Sequence, residues 1–219
     1  MPQLSPSGVA VRVRDAHRSD RRAVRGVLLA AYRQYATVLP PAVFGPYLAD
    51  ILDLDARDGG PGGLKERSAG GVRGTPRGFP GESGARGASP PVVPGRLLVA
   101  EHDRRVVGAV TFYEDAAAEG LGWPAGWAGL RALGVDPAAR RLGVGRALMD
   151  ACLERALAAR APVLCLHTAA FMTAAVALYG AMGFRRAPTF DFEVPAGGGA
   201  PPVAILAYRL DLPHDHDDA

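Results

Sequence analysis

The run Val135-Asp136-Pro137-Ala138-Ala139-Arg140-Arg141-Leu142-Gly143-Val144-Gly145-Arg146-Ala147-Leu148 decides how this chain is read. An apolar segment ends at Val135, Asp136-Pro137 breaks it, and two glycines open a helical stripe that continues through Val144, Leu148, Ala151, Cys152 and Ala156. The first amides of a helix have no intrahelical acceptor. They point outward, and the positive end of the helix dipole reinforces them, so this start favours an anionic group. Glycine at 143 and 145 removes the Cβ atoms that would hold a phosphate away from the backbone. Neither standard nucleotide loop fits. A Walker loop ends in Gly-Lys-Ser/Thr, whereas Gly145 is followed by Arg146-Ala147; a dinucleotide fingerprint needs a third glycine where Leu148 stands. By itself the short Gly-x-Gly suits turn geometry as well as it suits phosphate binding.

Upstream, Leu130 to Val135 reads as the strand that feeds this loop. Before it, Arg96 to Glu101 and Arg105 to Tyr113 form a strand pair around a tight turn at His102-Asp103-Arg104. Val9, Val11 and Val13 alternate with polar residues in a further strand, Val9 to Arg14. Ser19-Asp20 caps a helix whose stripe is Val24, Val27, Leu28, Ala31 and Tyr35. A second helix carries Phe44, Tyr47, Leu48, Ile51 and Leu52, with Pro46 either in its first turn or bending it. Downstream, Val163-Leu164-Cys165-Leu166 has the unbroken apolar character of a strand covered on both faces. Ala175, Leu178, Tyr179 and Met182 line a last helix that Gly183 terminates. Phe184 to Phe192 and Val203 to Leu210 are read as two closing strands around a triple-glycine turn. The expectation is a mixed α/β (α+β) domain over 9–219 with about seven strands and four helices.

One stretch, 58–95, departs from that pattern, being rich in Gly, Pro, Ser and Arg and nearly devoid of large apolar residues. It cannot bury enough surface to offset its ordering entropy, so it is expected to be a disordered insertion, a spacer in preference to an Arg-bearing tether. The whole chain, 219 residues with 48% hydrophobic residues, is long enough for a sizeable core. Its net charge of +3 is dispersed, and its cations are arginines apart from Lys65, which argues against a nucleic-acid patch. Cys152 and Cys165 lie in apolar runs and no signal-like or membrane-length segment is seen, so a reduced cytoplasmic setting and no membrane partner are expected.

With Arg140, Gly143 and Gly145 in register after Leu133-Gly134-Val135, the loop resembles the Arg/Gln-x-x-Gly-x-Gly/Ala motif of the GNAT superfamily of N-acetyltransferases. The stretch Ala175-Val176-Ala177-Leu178-Tyr179-Gly180-Ala181-Met182-Gly183-Phe184 is similar to that family's Ala-x-x-Leu-Tyr-x-x-x-Gly-Phe segment. The resemblance implies a GNAT-like fold and acetyl-CoA as co-substrate. It implies that the amides of Arg141, Leu142, Gly143, Val144, Gly145 and Arg146 hold the pyrophosphate, and that the backbone of Leu133 and Val135 pairs with the pantetheine arm. It also implies that Tyr179 protonates the leaving thiolate, while a small-molecule or peptide amine accepts the acetyl group by direct attack. A phenol with a reference pKa near 10 stays protonated at neutral pH and suits that task. The alternative is a non-catalytic acyl-CoA-binding module that regulates a partner.

Two departures from the family stand out. Met172 replaces an asparagine common seven residues before the tyrosine, and Gly129 to Gly134 contains no carboxylate where many relatives place a glutamate base. Glu114, Asp115, Glu119 and His167 remain as proton acceptors, against simpler readings as solvated loop acids and a strand-end histidine. Trp123 and Trp127 either line an acceptor pocket or pack; Tyr32, Tyr35, Phe44 and Tyr47 are expected at its border. The tail His214-Asp215-His216-Asp217-Asp218 lacks the fixed geometry of a metal site, so no metal is assigned.

Overall fold

Strand pairing follows from the alternating and continuous apolar runs. In this computed structural model, which describes residues 10–57, 95–196 and 198–213, eight strands join one sheet. The hairpin β2 (Arg96–His102) and β3 (Arg105–Tyr113) turns through Asp103 and Arg104, both left-handed at φ 51° and 61°, the twist that suits a two-residue connection. β1 (Arg12–Asp15) pairs antiparallel outside β2, and β4 (Ala128–Val135) pairs antiparallel with β3. β4 then meets β5 (Val163–Ala169) in the sheet's parallel pairing, and β5 is followed by β8 (Val203–Asp211). β8 in turn carries β6 (Arg185–Arg186) and β7 (Phe192–Val194).

Helices cover both faces. On one lie α1 (Arg21–Tyr32), α2 (Pro41–Leu52) and the single turn α3 (Leu54–Arg57), contributing buried Val24, Leu28, Ala31, Ile51 and Leu54. On the other lie α4 (Val144–Ala158) and α5 (Thr173–Ala181), with Leu148, Met149, Cys152 and Tyr179 buried against Val110, Phe112, Leu130, Leu164 and Leu166. Each fully buried aliphatic side chain of this kind contributes about 1.5 to 3 kcal/mol. Two glycines set how closely the helices approach. A Cβ on Gly108 would lie 2.6 Å from Val144 Cγ1, and one on Gly134 would lie 2.7 Å from Leu28 Cδ2 on the opposite face.

Two irregularities open the sheet at its centre. Val110 of β3 faces both Ala132 and Leu133 of β4, a bulge with Ala132 left-handed at φ 56°. Arg131 and Ala132 therefore both serve the α1 face, while Leu130, Leu133 and Val135 serve the α4 face. β4 and β5 pair only through Ala128–Leu130 and Leu164–Leu166, so beyond Leu130 and Leu166 the ladder forks.

Several boundaries differ from the sequence reading. Ala10 forms only a bridge and β1 starts at Arg12. The α-helical part of the first helix ends at Tyr32 and tightens into a 3-10 turn, Arg33–Thr37. Pro46 is neither in the first turn of α2 nor at its end; the helix runs through it without the bond its nitrogen cannot donate. The expected strand from Phe184 to Phe192 is two short strands divided by the turn Pro188–Phe190, because Pro188 has no amide for the ladder. This raises the strand count from seven to eight. Of the expected insertion, 58–94 lies outside the described residues, as does the tail 214–219; Gly95 bridges into the sheet. No helix among the described residues is long and apolar enough to cross a membrane, and none of their His, Cys, Asp and Glu side chains cluster in a way that could hold a metal.

Candidate active site

The loop that leaves β4 is held from beneath. Asp136 N–H donates to Val107 O at 2.8 Å, and its carboxylate accepts from Ala138 N–H at 2.9 Å, starting the short turn Pro137–Ala139. The hydrogen bond at Asp136 makes the neighbouring Val135–Gly108 pair a non-hydrogen-bonded one, so Val135 turns its own N–H and C=O toward the β5 side of the fork. Arg141 and Gly143 are then both left-handed, at φ 67° and 79°. Successive amides in such a bend face one concavity, the form of an anion-binding nest.

α4 begins immediately after, with no side chain capping it. Ala147 N–H is the first amide to bond back into the helix, to Gly143 O at 2.9 Å, which leaves the amides of Val144, Gly145 and Arg146 to face outward. A Cβ on Gly145 would make ordinary contacts, 3.4 Å to Leu178 and 3.8 Å to Val135, so Gly145 sits where α4, α5 and the end of β4 converge. Arg140, Arg141 and Arg146 are exposed. Arg146 is folded back onto Asp150 at 2.8 Å, so its backbone, not its guanidinium, faces the concavity. A residue set with uncapped amides, a left-handed glycine and two nearby exposed arginines, Arg140 and Arg141, fits a polyanionic group such as a diphosphate.

Tyr179 hangs from α5 into the core of the α4 face, its ring 5.8 Å from Phe184 and 6.4 Å from Tyr208. Burial, and then the neighbouring Tyr32, Cys152 and Tyr35, push its phenol pKa well above the ordinary value, so the hydroxyl keeps its proton at any physiological pH. Tyr32 and Tyr35 belong to the opposite face, which places Tyr179 where the fork lets the two faces communicate. Tyr32 donates its hydroxyl to Leu133 O at 3.0 Å, so this expected partner of the pantetheine arm already serves one protein donor. Met172, at the start of α5, accepts a 3.5 Å contact from Thr168 Oγ1 through its sulfur and caps nothing.

Across the fork on the α1 side stand two aromatic groups. Tyr32 packs edge-on against Tyr35 and Tyr47 at 6.0 and 5.8 Å, and Tyr35 against Phe171 at 5.3 Å. Phe44 joins Tyr35, Tyr47 and Phe171 in packing against Leu39, Val43 and Ala196 between α2 and β7. Opposite, Trp123 is buried at 4.3 Å from the His167 ring and 5.0 Å from Phe190, while half-buried Trp127 lies under the guanidinium of Arg209. His167 hydrogen-bonds Phe190 O through Nε2 at 2.9 Å, and burial lowers its pKa to about 4, so the ring is neutral.

The three loop acids separate. Glu114 forms an exposed ion pair with Arg96, and Asp115 caps the turn Ala116–Glu119 by accepting from Ala117 N–H. Glu119 is directed inward over β4, its Oε1 3.0 Å from where a Cβ on Gly129 would stand. The sequence reading missed Arg131, which reaches Asp50 of α2 at 2.6 Å, and Phe190. Glu119's approach is permitted by Gly129 at the start of β4, which lies just outside the strand read from the sequence.

The sheet is mixed and forks between its fourth and fifth strands, with the uncapped start of α4 and the buried phenol of α5 on one face. The sequence profile described as the acetyltransferase (GNAT) family matches residues 86–184, a range that contains both motifs and supports membership of the GNAT superfamily. No curated protein matches it by sequence. Among solved structures it is similar to an acetyltransferase of the GNAT family from Staphylococcus aureus Mu50, with 15% identity, 93% of this chain and 100% of that chain covered, and a TM-score of 0.57. It is likewise similar to the ribosomal-protein-alanine N-acetyltransferase of Brucella melitensis (19% identity, 92% and 99% covered, TM-score 0.55). A Salmonella typhimurium chain described as an acetyltransferase and solved with acetyl-CoA has 15% identity, 95% and 98% covered, and a TM-score of 0.51. At these identities the likeness is one of fold.

Proposed function

We propose that this protein is an N-acetyltransferase that moves an acetyl group from acetyl-CoA to a primary amine by direct attack, within one GNAT-like domain spanning 9–219. Acetyl-CoA supplies the activated acyl group as a thioester. The amides from Arg141 to Arg146 bind its diphosphate, the edge of β4 at Leu133 and Val135 aligns its arm, and Val135 N–H is a donor for the carbonyl oxygen. Tyr179 holds a proton for the departing sulfur, and the dry core around it keeps that proton in place.

The observation that carries this reading is the uncapped start of α4, opened by left-handed Gly143 beside the free edge of Val135. It accounts for a bound polyanion and for the direction in which an attached arm would run, toward Tyr179. The acceptor class rests on the aromatic walls of the fork on the α1 side and on the buried, neutral ring of His167. The test is thiol release from acetyl-CoA against a panel of primary amines, alongside calorimetric titration of acetyl-CoA. Binding with turnover of at least one amine is expected; binding with no turnover of any would replace the enzyme by an acyl-CoA-binding regulatory module.

A further inference from the structure

Two buried polar atoms of the α1-side fork, Nε1 of Trp123 and Nδ1 of His167, have no hydrogen-bond partner among the described residues. Trp123 is only 4% exposed, and its ring is the neighbour of the His167 ring, with centroids 4.3 Å apart and planes tilted by 32°. A buried indole N–H usually finds an acceptor, and buried polar groups in general are nearly always satisfied. Two open atoms on touching rings therefore mark a place where a polar ligand belongs.

Their hydrogen-bonding characters are opposite. The indole Nε1–H can only donate. His167 Nε2 lies 2.9 Å from Phe190 O, which can only accept, so Nε2 carries the hydrogen and Nδ1 presents a lone pair. The fold holds that tautomer in place. Arg186 donates to both carboxylate oxygens of Asp191, at 2.9 and 2.6 Å, and to Ala207 O at 2.7 Å, while Asp191 accepts from Ala207 N–H at 2.8 Å. This clamp ties β6 to β8 and fixes the turn Pro188–Phe190, whose last carbonyl meets His167.

The pair stands where the far end of an acceptor would lie. β4 and β5 part after Leu130 and Leu166, so His167 is the first β5 residue past the last rung. Val135, whose N–H faces the thioester carbonyl in the reading above, lies farther along β4, on the order of 10 Å away at the rise of a strand. The way in is the turn that carries Trp123. A Cβ at Gly120, Gly122 or Gly126 would meet nothing within 4 Å, so nothing packs against those positions of the turn that shields the two atoms.

We propose that the acceptor amine carries at its far end a neutral group that both donates and accepts a hydrogen bond, an alcohol or a carboxamide, which accepts from Trp123 Nε1 and donates to His167 Nδ1. The inference rests on the transferase reading above. One alcohol oxygen satisfies both atoms, and a carboxamide does so with its C=O and N–H. A carboxylate would accept from Trp123 but set a lone pair against Nδ1. An ammonium would serve Nδ1 but set an N–H against the indole donor. A methyl group leaves both atoms unpaired, and it is the unpaired buried group that gives such a site its discrimination. The subsite also lacks a charge to offset a charged end. Burial keeps His167 neutral, and the charges that act on its ring, Arg131 and Asp191, are engaged with Asp50 and Arg186.

The test uses primary alkylamines of matched length, long enough to span that distance, that end in a hydroxyl, a carboxamide, a methyl, a carboxylate or an ammonium. With the wild type, kcat/KM for the hydroxyl or carboxamide end exceeds that for the other three roughly tenfold to a hundredfold, and the better of the two names the end group. Trp123→Phe and His167→Phe lose the preference, while calorimetry gives an unchanged acetyl-CoA Kd. In the wild-type complex with coenzyme A, the indole N–H signal of Trp123, one of two tryptophans in the chain, moves downfield with the hydroxyl- or carboxamide-ended amine and stays in place with the methyl-ended one. Equal rates for all five ends, or a preferred carboxylate or ammonium, overturn the assignment and leave the transferase intact. An indole signal that does not move while the neutral polar amines bind overturns it as well. A wild type that binds acetyl-CoA and shows the indole shift, yet acetylates no amine, keeps the subsite and overturns the transferase reading. Should circular dichroism show that both variants are unfolded, the indole signal of the wild type decides.

Discussion

The two ends of the fork are built from different materials. At the α4 end the groups proposed to bind are backbone amides, contributed by six consecutive residues and arranged by two left-handed φ angles. At the β5 end the polar groups are side chains from β4, β5, α2 and two turns, brought together by a bulge at Ala132 and the close approach of Glu119 over Gly129. A backbone site needs only the right local conformation, so it is written in a contiguous stretch. A side-chain site needs the whole sheet in register, and its members lie as far apart in sequence as Asp50 and Phe190.

The largest effect should come from breaking the backbone end. Gly143→Glu must place a side chain at φ 79° and a negative charge in a concavity of donors. Acetyl-CoA affinity should fall at least 100-fold by calorimetry, about 2.7 kcal/mol. Next in size is Gly134→Val, which forces a branched side chain into 2.7 Å contact with Leu28 beside the bulge. A loss of about 1 to 3 kcal/mol in denaturant unfolding is expected, with the other end's residues displaced in consequence.

Tyr179→Phe separates chemistry from binding. The change removes only a hydroxyl from the core, and kcat should drop roughly tenfold to a thousandfold, while Kd for acetyl-CoA and the unfolding midpoint change little. Equal loss in kcat and stability would make Tyr179 a packing residue only.

The smallest effect sharpens the side-chain end. Burial depresses the folded pKa of His167 to about 4, below its unfolded value near 6.5. Between those values the unfolded chain binds more protons, so the stability this group contributes is full above pH 6.5 and is lost as pH falls toward 4. The loss should be about 2 to 3 kcal/mol over that window, and His167→Gln should flatten it in urea unfolding measured from pH 7 to 4.

Most of the fold was legible because its strands carry unmistakable patterns. The hairpin at Asp103-Arg104, the continuous run Val163 to Leu166 and the stripes of α4 and α5 all occur where periodicity places them. Legibility failed where one residue overrides a pattern: Pro188 divides a strand that alternation would continue, and Pro46 sits inside a helix that its own chemistry would end. In the proposed site, the Gly143–Gly145 loop and Tyr179 stand in motifs with fixed spacing, and the structure places them at the uncapped start of α4 and in the buried face of α5. Glu119 stood among the candidate proton acceptors beside a simpler reading as a solvated loop acid, and only the structure shows it turned inward over Gly129. Arg131 was hidden because a bulge, invisible to alternation, decides which face it joins.

The central claim, that main-chain donors at the start of α4 hold the diphosphate of acetyl-CoA, is tested most directly by amide resonances. On titration with acetyl-CoA, the backbone N–H signals of Gly143, Val144, Gly145 and Arg146 should move downfield together and saturate with the calorimetric affinity. If the ligand binds while these four signals stay in place, the cradle is not its binding site.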